Sequence, residues 1–136
     1  MRILGIDYGD VRVGLAVSDP TGFLASGIGN VVIKGMNDAV EKVTEKIKEV
    51  GAEKIVLGLP KNMDNSEGFR VKATREFAEI LKAVCPAPIE FWDERLTTTV
   101  AIQTLNETNV RGKKRKEVID TVAATYILQG FLDKKF

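Results

Sequence analysis

The stretch Arg2-Ile-Leu-Gly-Ile-Asp-Tyr-Gly-Asp-Val-Arg-Val-Gly-Leu-Ala-Val-Ser-Asp19 decides the fold of this chain. Two runs rich in Ile, Leu and Val lie on either side of Tyr8-Gly9-Asp10, a pattern typical of two antiparallel strands joined by a tight turn. Alternation places residues 3, 5 and 7 on one face of the first strand and residues 4, 6 and 8 on the other. The chain is therefore predicted to open with a β-hairpin.

Asp7 stands at the end of the first predicted strand. A carboxylate there is costly to desolvate unless something pairs with it, so Asp7 either caps a turn or holds a cation. Glycines at positions 5, 9 and 14 remove side-chain bulk around it and leave room for a phosphate and its metal ion. Further carboxylates would have to converge on Asp7 for the second interpretation to hold.

Length and composition restrict the class of protein. A chain of 136 residues, 44% hydrophobic and 29% charged, is typical of one compact globular domain, here residues 1–136. The net charge is only +1, so affinity for nucleic acid would have to come from local clusters of basic residues. Gly5 and Asp7 interrupt the N-terminal run too early for a signal peptide, and no run reaches membrane-spanning length. We therefore expect a cytoplasmic protein with no membrane partner.

The sequence contains no histidine and a single cysteine, Cys85. This excludes a disulfide framework, a Cys/His zinc site and catalysis by a histidine base. Cys85 follows an apolar helical run, so we expect it to be a packing residue rather than a reactive thiol. An enzyme with this composition would have to use carboxylates, Lys, Tyr or a hard cation.

The rest of the chain predicts alternating strands and helices. Strands are expected at 28–33, 54–60 and 89–94, and helices at 37–50, 69–84, 97–106 and 116–132. Asn37 is the expected N-cap of the first helix and Gly51 its C-terminal stop. The fold class is then α/β: a mixed five-stranded sheet, three antiparallel strands followed by two parallel ones, with helices on both faces.

Two further acids complete a candidate site. Glu94 ends a strand predicted to be parallel to the first, and Asp120 interrupts the apolar face of the last helix. The small neighbours Ala123 and Ala124 would let that helix approach the sheet. Three carboxylates this close would repel one another unless a cation were bound, and oxygen-only ligands favour Mg²⁺ or Mn²⁺. Such a cluster suits phosphodiester hydrolysis. Asp120 could instead be a surface residue, and Asp93 could replace Glu94.

Taken together, the motifs resemble those of a known family, the YqgF/RuvX family of ribonuclease H-like proteins. The resemblance covers nearly the whole chain and is carried by Gly5-Ile-Asp-Tyr-Gly, Arg12-Val-Gly-Leu-Ala-Val-Ser-Asp19, Gly58-Leu-Pro60, Asn62-Met-Asp64, Glu67-Gly68, Asp93-Glu-Arg-Leu-Thr-Thr98, Arg111 to Lys116 and Asp120 with Ala123-Ala124. By position, Asp7, Glu94 and Asp120 match the acidic triad of that family. The resemblance implies a metal-dependent nuclease, described for the family as a pre-16S rRNA nuclease and as a Holliday junction resolvase.

Basic and polar residues suggest where a nucleic-acid substrate would be bound. The run 111–116 is basic at every position except Gly112, enough to contact several phosphates, although it could also be a solvated charged surface. Arg12, Lys61 and Arg95 are candidate phosphate contacts or ordinary surface charges. Trp92 is expected in the core. The expected substrate-binding residues are Arg12, Lys61, Asn62, Arg95, Arg111, Lys113, Lys114 and Arg115.

The sequence is also compatible with other functions. The same chemistry could resolve four-way DNA junctions, and a non-catalytic nucleic-acid-binding factor acting in transcription would need only the basic residues. Gly5-Ile-Asp-Tyr-Gly also resembles the phosphate loop of actin-like kinases, which bind nucleotide between two such domains. The expected partner in the leading hypothesis is precursor rRNA, bound by a monomer or a homodimer.

Overall fold

The computed structural model describes residues 1–60, 68–93 and 112–135, of which 112–121 and 135 are described by their backbone alone. The strands are β1 (Ile3–Tyr8), β2 (Arg12–Ser18), β3 (Ala25–Val32), β4 (Lys54–Leu59) and β5 (Ile89–Asp93). The helices are α1 (Met36–Val50), α2 (Phe69–Val84) and α3 (Gly112–Lys135). The predicted helix at 97–106 lies outside the described residues.

The five strands form one mixed sheet in the order β3-β2-β1-β4-β5. Both β1–β2 and β2–β3 pair antiparallel, whereas β1–β4 and β4–β5 pair parallel. The predicted fold class is confirmed. Because β1, β4 and β5 run in the same direction, their carboxyl ends meet at one end of the sheet, which we call the carboxyl edge.

Helices cover both faces of the sheet, and alternation along β1 separates the two cores. Leu4, Ile6 and Tyr8 pack with α1 and α2, while Ile3 packs with α3. Tyr8 stacks on Phe77 of α2 with ring centroids 4.5 Å apart. Burial together with the nearby Asp10 and Glu76 carboxylates raises the pKa of the Tyr8 hydroxyl, so it stays protonated at neutral pH.

Helix α1 ends as predicted but begins differently. Gly51 adopts a left-handed conformation (φ 68°), and its N–H returns to the carbonyls of the last turn. Gly35, not Asn37, is the N-cap residue, and no side chain caps the helix. Instead, the Asp38 carboxylate accepts a hydrogen bond from Lys34 N and a salt bridge from Lys42, and these partners lower its pKa.

Three sequence predictions need correction. The segment 112–116 belongs to the first turns of α3 and does not separate two helices, because the helix already begins at Gly112. Strand β3 begins at Ala25, three residues before the predicted start at 28. The apolar spacing of 69–84 also predicts Val84 on the inner face of α2, but Val84 is 57% exposed because it is the last residue of the helix.

Cys85 is confirmed as a packing residue, whereas Trp92, expected in the core, is only partly buried and packs against the core from outside. Cys85 is buried in the core beneath α1 and α2. Trp92 packs edge-on against Phe131 and beside Gly130 of α3, with ring centroids of the aromatic pair 6.2 Å apart. Within the described part of the chain, no helix is both long and apolar enough to cross a membrane.

Candidate nuclease site

Asp7 lies at the carboxyl end of the central strand, on the face covered by α3. In β2 the register partner of Asp7 is Gly14. In β4 the last paired residue is Leu57, opposite Ile6, so the same register continued by one residue places Gly58 beside Asp7. Register partners share a face of the sheet, so the two positions flanking Asp7 have no side chain. The carboxylate is partly exposed and has lateral room for a ligand.

Helix α3 crosses the sheet close to Asp7 because Gly5 has no side chain. A Cβ atom at Gly5 would lie 2.7 Å from Leu128 Cβ and 3.2 Å from the Ala124 carbonyl oxygen. Further along the helix, the Phe131 ring lies 4.9 Å from Lys54 Nζ at the start of β4. The helix therefore runs from the carboxyl edge towards the amino ends of the parallel strands.

This direction fixes where position 120 falls. It is four residues before Ala124, which is one helical turn, or about 6 Å, nearer the carboxyl edge where Asp7 lies. Residues four apart share a face of a helix. The backbone thus brings position 120 to the end of the sheet that carries Asp7.

The third predicted acid, Glu94, lies outside the described residues, directly after the last residue of β5. Its alternative, Asp93, is described and lies on the wrong face. Phe91 is beside Arg75 of α2, and Asp93 follows two residues later on the same face. Trp92, between them, lies on the α3 face with Asp7. Asp93 therefore points to the face opposite Asp7.

Arg12 is the one predicted substrate contact whose side chain is described. Alternation from Ala16 and Gly14 places it on the α3 face, two residues beyond the partner of Asp7. Its Nε atom is buried and, within the described part of the chain, has no hydrogen-bond partner. A buried donor of this kind is costly unless an acceptor reaches it, so an anionic ligand at this position would stabilise it.

The remaining predicted contacts cannot be placed at the level of side chains. Lys61, Asn62, Arg95 and Arg111 lie outside the described residues. Lys113, Lys114 and Arg115 lie in the first turns of α3, where only the backbone is described. Among the fully described residues, no three acidic, His or Cys side chains form a metal-binding group, and Asp7 is the only member of the predicted triad in that set.

Asn30 belongs to the same part of the sheet and was not found from the sequence. It pairs with Gly14, so its side chain shares the α3 face with Asp7, two strands away or about 10 Å. A shift of register in β3, at the pairing of Leu15 and Ala16, decides which β3 residues share this face. Alternation from the sequence alone does not reveal such a shift.

The sequence is similar to a described protein family and to several named proteins. A family model described as "RuvX: Holliday junction resolvase" matches residues 1–134. Two proteins named "Putative pre-16S rRNA nuclease" are each 47% identical, from Clostridium novyi over 133 residues and from Listeria monocytogenes over 135 residues. Each alignment covers 98% of both chains.

Solved structures with the same fold have much lower sequence identity. Thermus thermophilus RuvC in complex with a Holliday junction substrate aligns with a TM-score of 0.60 at 14% identity, covering 99% of this chain and 96% of that one. The fowlpox virus Holliday junction resolvase aligns with a TM-score of 0.59 at 12% identity, covering both chains fully. At this level of identity the likeness concerns the fold.

Proposed function

Since the chain belongs to the RuvX family of Holliday junction resolvases, we propose that it is a nuclease that hydrolyses phosphodiester bonds in precursor 16S rRNA. The two relatives with that name are 47% identical to this chain, and the alignments cover almost their whole length. The observation that carries the proposal is the position of Asp7. Its carboxylate lies at the carboxyl edge, between Gly14 and Gly58. The helix that contains Asp120 crosses the same face of the sheet at Gly5, two residues before Asp7.

We propose that Asp7, Glu94 and Asp120 together bind Mg²⁺ or Mn²⁺. The fit rests on donor chemistry, because carboxylate oxygens in a chain without histidine suit a hard divalent cation. Glu94 is preferred to Asp93, since Asp93 lies on the α2 face while the next residue would alternate back to the α3 face. When bound, such ions activate water and stabilise the leaving oxygen.

The sheet positions the Asp7 carboxylate and keeps other side chains away from it. Strand β1 is paired on both sides, which holds the Asp7 carboxylate in place at the sheet end. The two flanking glycines let a sugar-phosphate backbone come close to that carboxylate. Arg12 is proposed to bind the substrate phosphate through its guanidinium, whose Nε has no partner among the described residues, and Asn30 to contact the strand beyond it.

Cleavage of an end-labelled precursor fragment by purified protein tests the assignment. We expect Mn²⁺- or Mg²⁺-dependent cutting that Asp7→Asn abolishes. Asp10→Asn removes an exposed acid only three residues away and should leave cleavage unchanged. Metal binding has its own readout, because Mn²⁺ should raise the melting temperature of wild-type protein more than that of Asp7→Asn. Full activity of Asp7→Asn would refute the role given to this residue.

The family description favours a second substrate, the four-way DNA junction. The acids act on any phosphodiester, so the site chemistry does not distinguish the polymers. Cleavage of the precursor RNA and of a four-way junction should be compared at equal salt and metal concentrations, because phosphate contacts depend strongly on salt. Faster cleavage of the junction would replace the RNA assignment, and tight binding of both without cleavage would indicate a non-catalytic binding factor.

A further inference from the structure

We propose that Arg70 binds a phosphate of the nucleic-acid strand at a point where α2 extends beyond the carboxyl edge of the sheet. The inference rests on the proposed nuclease function, and it adds a contact on the α2 side of the sheet, the face opposite Asp7.

Arg70 occupies a position on α2 that would normally be buried. The inner face of this helix contains Thr74, Phe77 and Leu81, all of them buried. Arg70 is four residues before Thr74 and seven before Phe77, spacings that place it on the same face. It is nevertheless exposed. Val71, the next residue, is fully buried, so Arg70 marks the point on this face where burial of the helix ends.

The contacts of α2 show this geometry. Ile55 N donates a hydrogen bond to Pro88 O just after the helix, so its C-terminal end lies at the amino ends of the parallel strands. Phe77 stacks on Tyr8, the last residue of β1. The helix rises 1.5 Å per residue, so Arg70 lies about 10 Å further on, beyond the carboxyl edge. Its side chain therefore overhangs the end of the sheet that carries Asp7.

Among the described residues, the charge near Arg70 favours an anionic ligand. The first turn of α2 contains no acidic residue, and Lys72 nearby is also exposed. Across the residues described in full, the Arg70 guanidinium makes no salt bridge. Placing positive charge at the N-terminal end of a helix is unfavourable by itself, and a bound phosphate would compensate for that cost.

The adjacent Phe69 indicates that the anion belongs to a nucleic acid rather than to a free phosphate. Its side chain is 72% exposed, the highest value among the large exposed hydrophobic residues of the described chain. An aromatic ring beside two cations is the combination that binds single strands, in which bases stack on rings while cations follow the backbone.

Binding measurements without cleavage test the inference. Fluorescence anisotropy of a labelled precursor-RNA fragment, recorded in EDTA at several salt concentrations, gives both Kd and its salt dependence. We expect Arg70→Ala to raise Kd about 5- to 10-fold and to reduce the slope of log K against log salt by about 0.7 to 0.9, the loss of one phosphate contact. Phe69→Leu should raise Kd for a normal strand but not for one with abasic sites.

Lys82→Ala is the matched control, because Lys82 is an exposed cation on the same helix at the opposite end of the sheet. It should leave Kd and slope unchanged, and all variants should keep the wild-type melting temperature. Wild-type Kd and slope in Arg70→Ala would overturn the inference while leaving the nuclease proposal intact. Failure of the wild-type protein both to bind and to cleave nucleic acid would instead overturn the proposed function.

Discussion

The two faces of the sheet differ most at the carboxyl end of β1. On the face of α1 and α2, Leu4, Ile6 and Tyr8 form an apolar line that continues to the end of the strand. On the α3 face, the corresponding line is Ile3, Gly5 and Asp7, so it begins apolar, loses its side chain and ends in a carboxylate. One strand therefore serves a packed core on one side and a candidate site on the other.

The difference indicates where stability and function are separated in this protein. The α2 face gains from every apolar side chain removed from water. Near Asp7 the α3 face lacks this stabilisation by apolar burial, because Gly14 and Gly58 leave space beside the carboxylate. A substitution at Leu4 should therefore reduce mainly stability, whereas one at Asp7, three residues further along β1, should reduce mainly activity.

The largest expected effect is the loss of cleavage in Asp7→Asn. Outer-shell residues of metal sites already contribute about 10- to 100-fold to activity, so a proposed direct ligand should cost more than about 100-fold. The free energy of unfolding should change by less than about 1 kcal/mol or increase, because residues selected for function are often unfavourable for stability. Single-turnover cleavage and urea denaturation measure the two quantities. A large loss of stability would remove the proposed contrast.

Leu4→Ala tests the opposite face. Leu4 is fully buried, and its truncation should reduce the free energy of unfolding by about 2 to 5 kcal/mol through lost burial and the cavity left behind. Cleavage per folded molecule should stay close to that of the wild type, since Leu4 faces away from Asp7. Circular dichroism provides the folded fraction for the normalisation. A normalised activity as low as that of Asp7→Asn would show that the faces are not independent.

Gly5→Ala should affect both properties. The added Cβ would lie 2.7 Å from Leu128 Cβ, so α3 has to shift, at a cost of about 1 to 3 kcal/mol. Such a shift also moves position 120 relative to Asp7. The rate of cleavage should therefore fall mainly through a lower kcat, with a smaller change in KM. Gly130→Ala is the control on the same helix, because the three atoms nearest to its added Cβ all belong to the Trp92 side chain, the closest at 3.3 Å, and alanine favours the helix. If Gly5→Ala and Gly130→Ala lost stability and cleavage activity to the same extent, the close packing of α3 on Gly5 would not be the cause of those losses.

The smallest expected effect lies far from the site, in the turn between β2 and β3. The Asp19 carboxylate accepts hydrogen bonds from the Thr21 hydroxyl at 2.7 Å and from Phe23 N at 2.8 Å, and these bonds lower its pKa. The ionised form is thus favoured in the folded state. Its stabilising effect is present above the unfolded pKa, about 3.9, and is lost as pH falls through the folded value.

Asp19→Asn should therefore lower the melting temperature slightly at pH 7, with a difference from wild type that shrinks below about pH 4. Thermal denaturation at several pH values measures this, and cleavage at pH 7 should be unchanged. A difference that grew on acidification would contradict the sign of the pKa shift.

Much of this fold could be predicted from local pattern. The hairpin of β1 and β2, the buried run of β4 and the helix Phe69–Val84 have strong periodicity and clear turn residues, and all three were predicted. Predictions failed where long-range contacts override local preference. Asn37 is a good cap by type, yet Gly35 precedes the helix, and the start of β3 depends on pairing with β2 rather than on its own sequence.

The candidate site divides in the same way. Asp7 was found because a carboxylate in an apolar strand is unusual at the level of sequence. Asn30 and Arg70 were missed because each looks ordinary among its neighbours. Asn30 gains its place from the register of β3, and Arg70 from the length by which α2 exceeds the sheet. The acidic partners Glu94 and Asp120 remain predictions.

The sequence by itself determined the strand and helix order, the alternation that separates Asp7 from the core beneath α2, and the absence of histidine, which leaves carboxylates as the available metal ligands. Tertiary structure alone decided which residues share the carboxyl edge with Asp7. Periodicity is a local property of a few adjacent residues, whereas register, helix crossing and overhang depend on contacts between segments far apart in the chain.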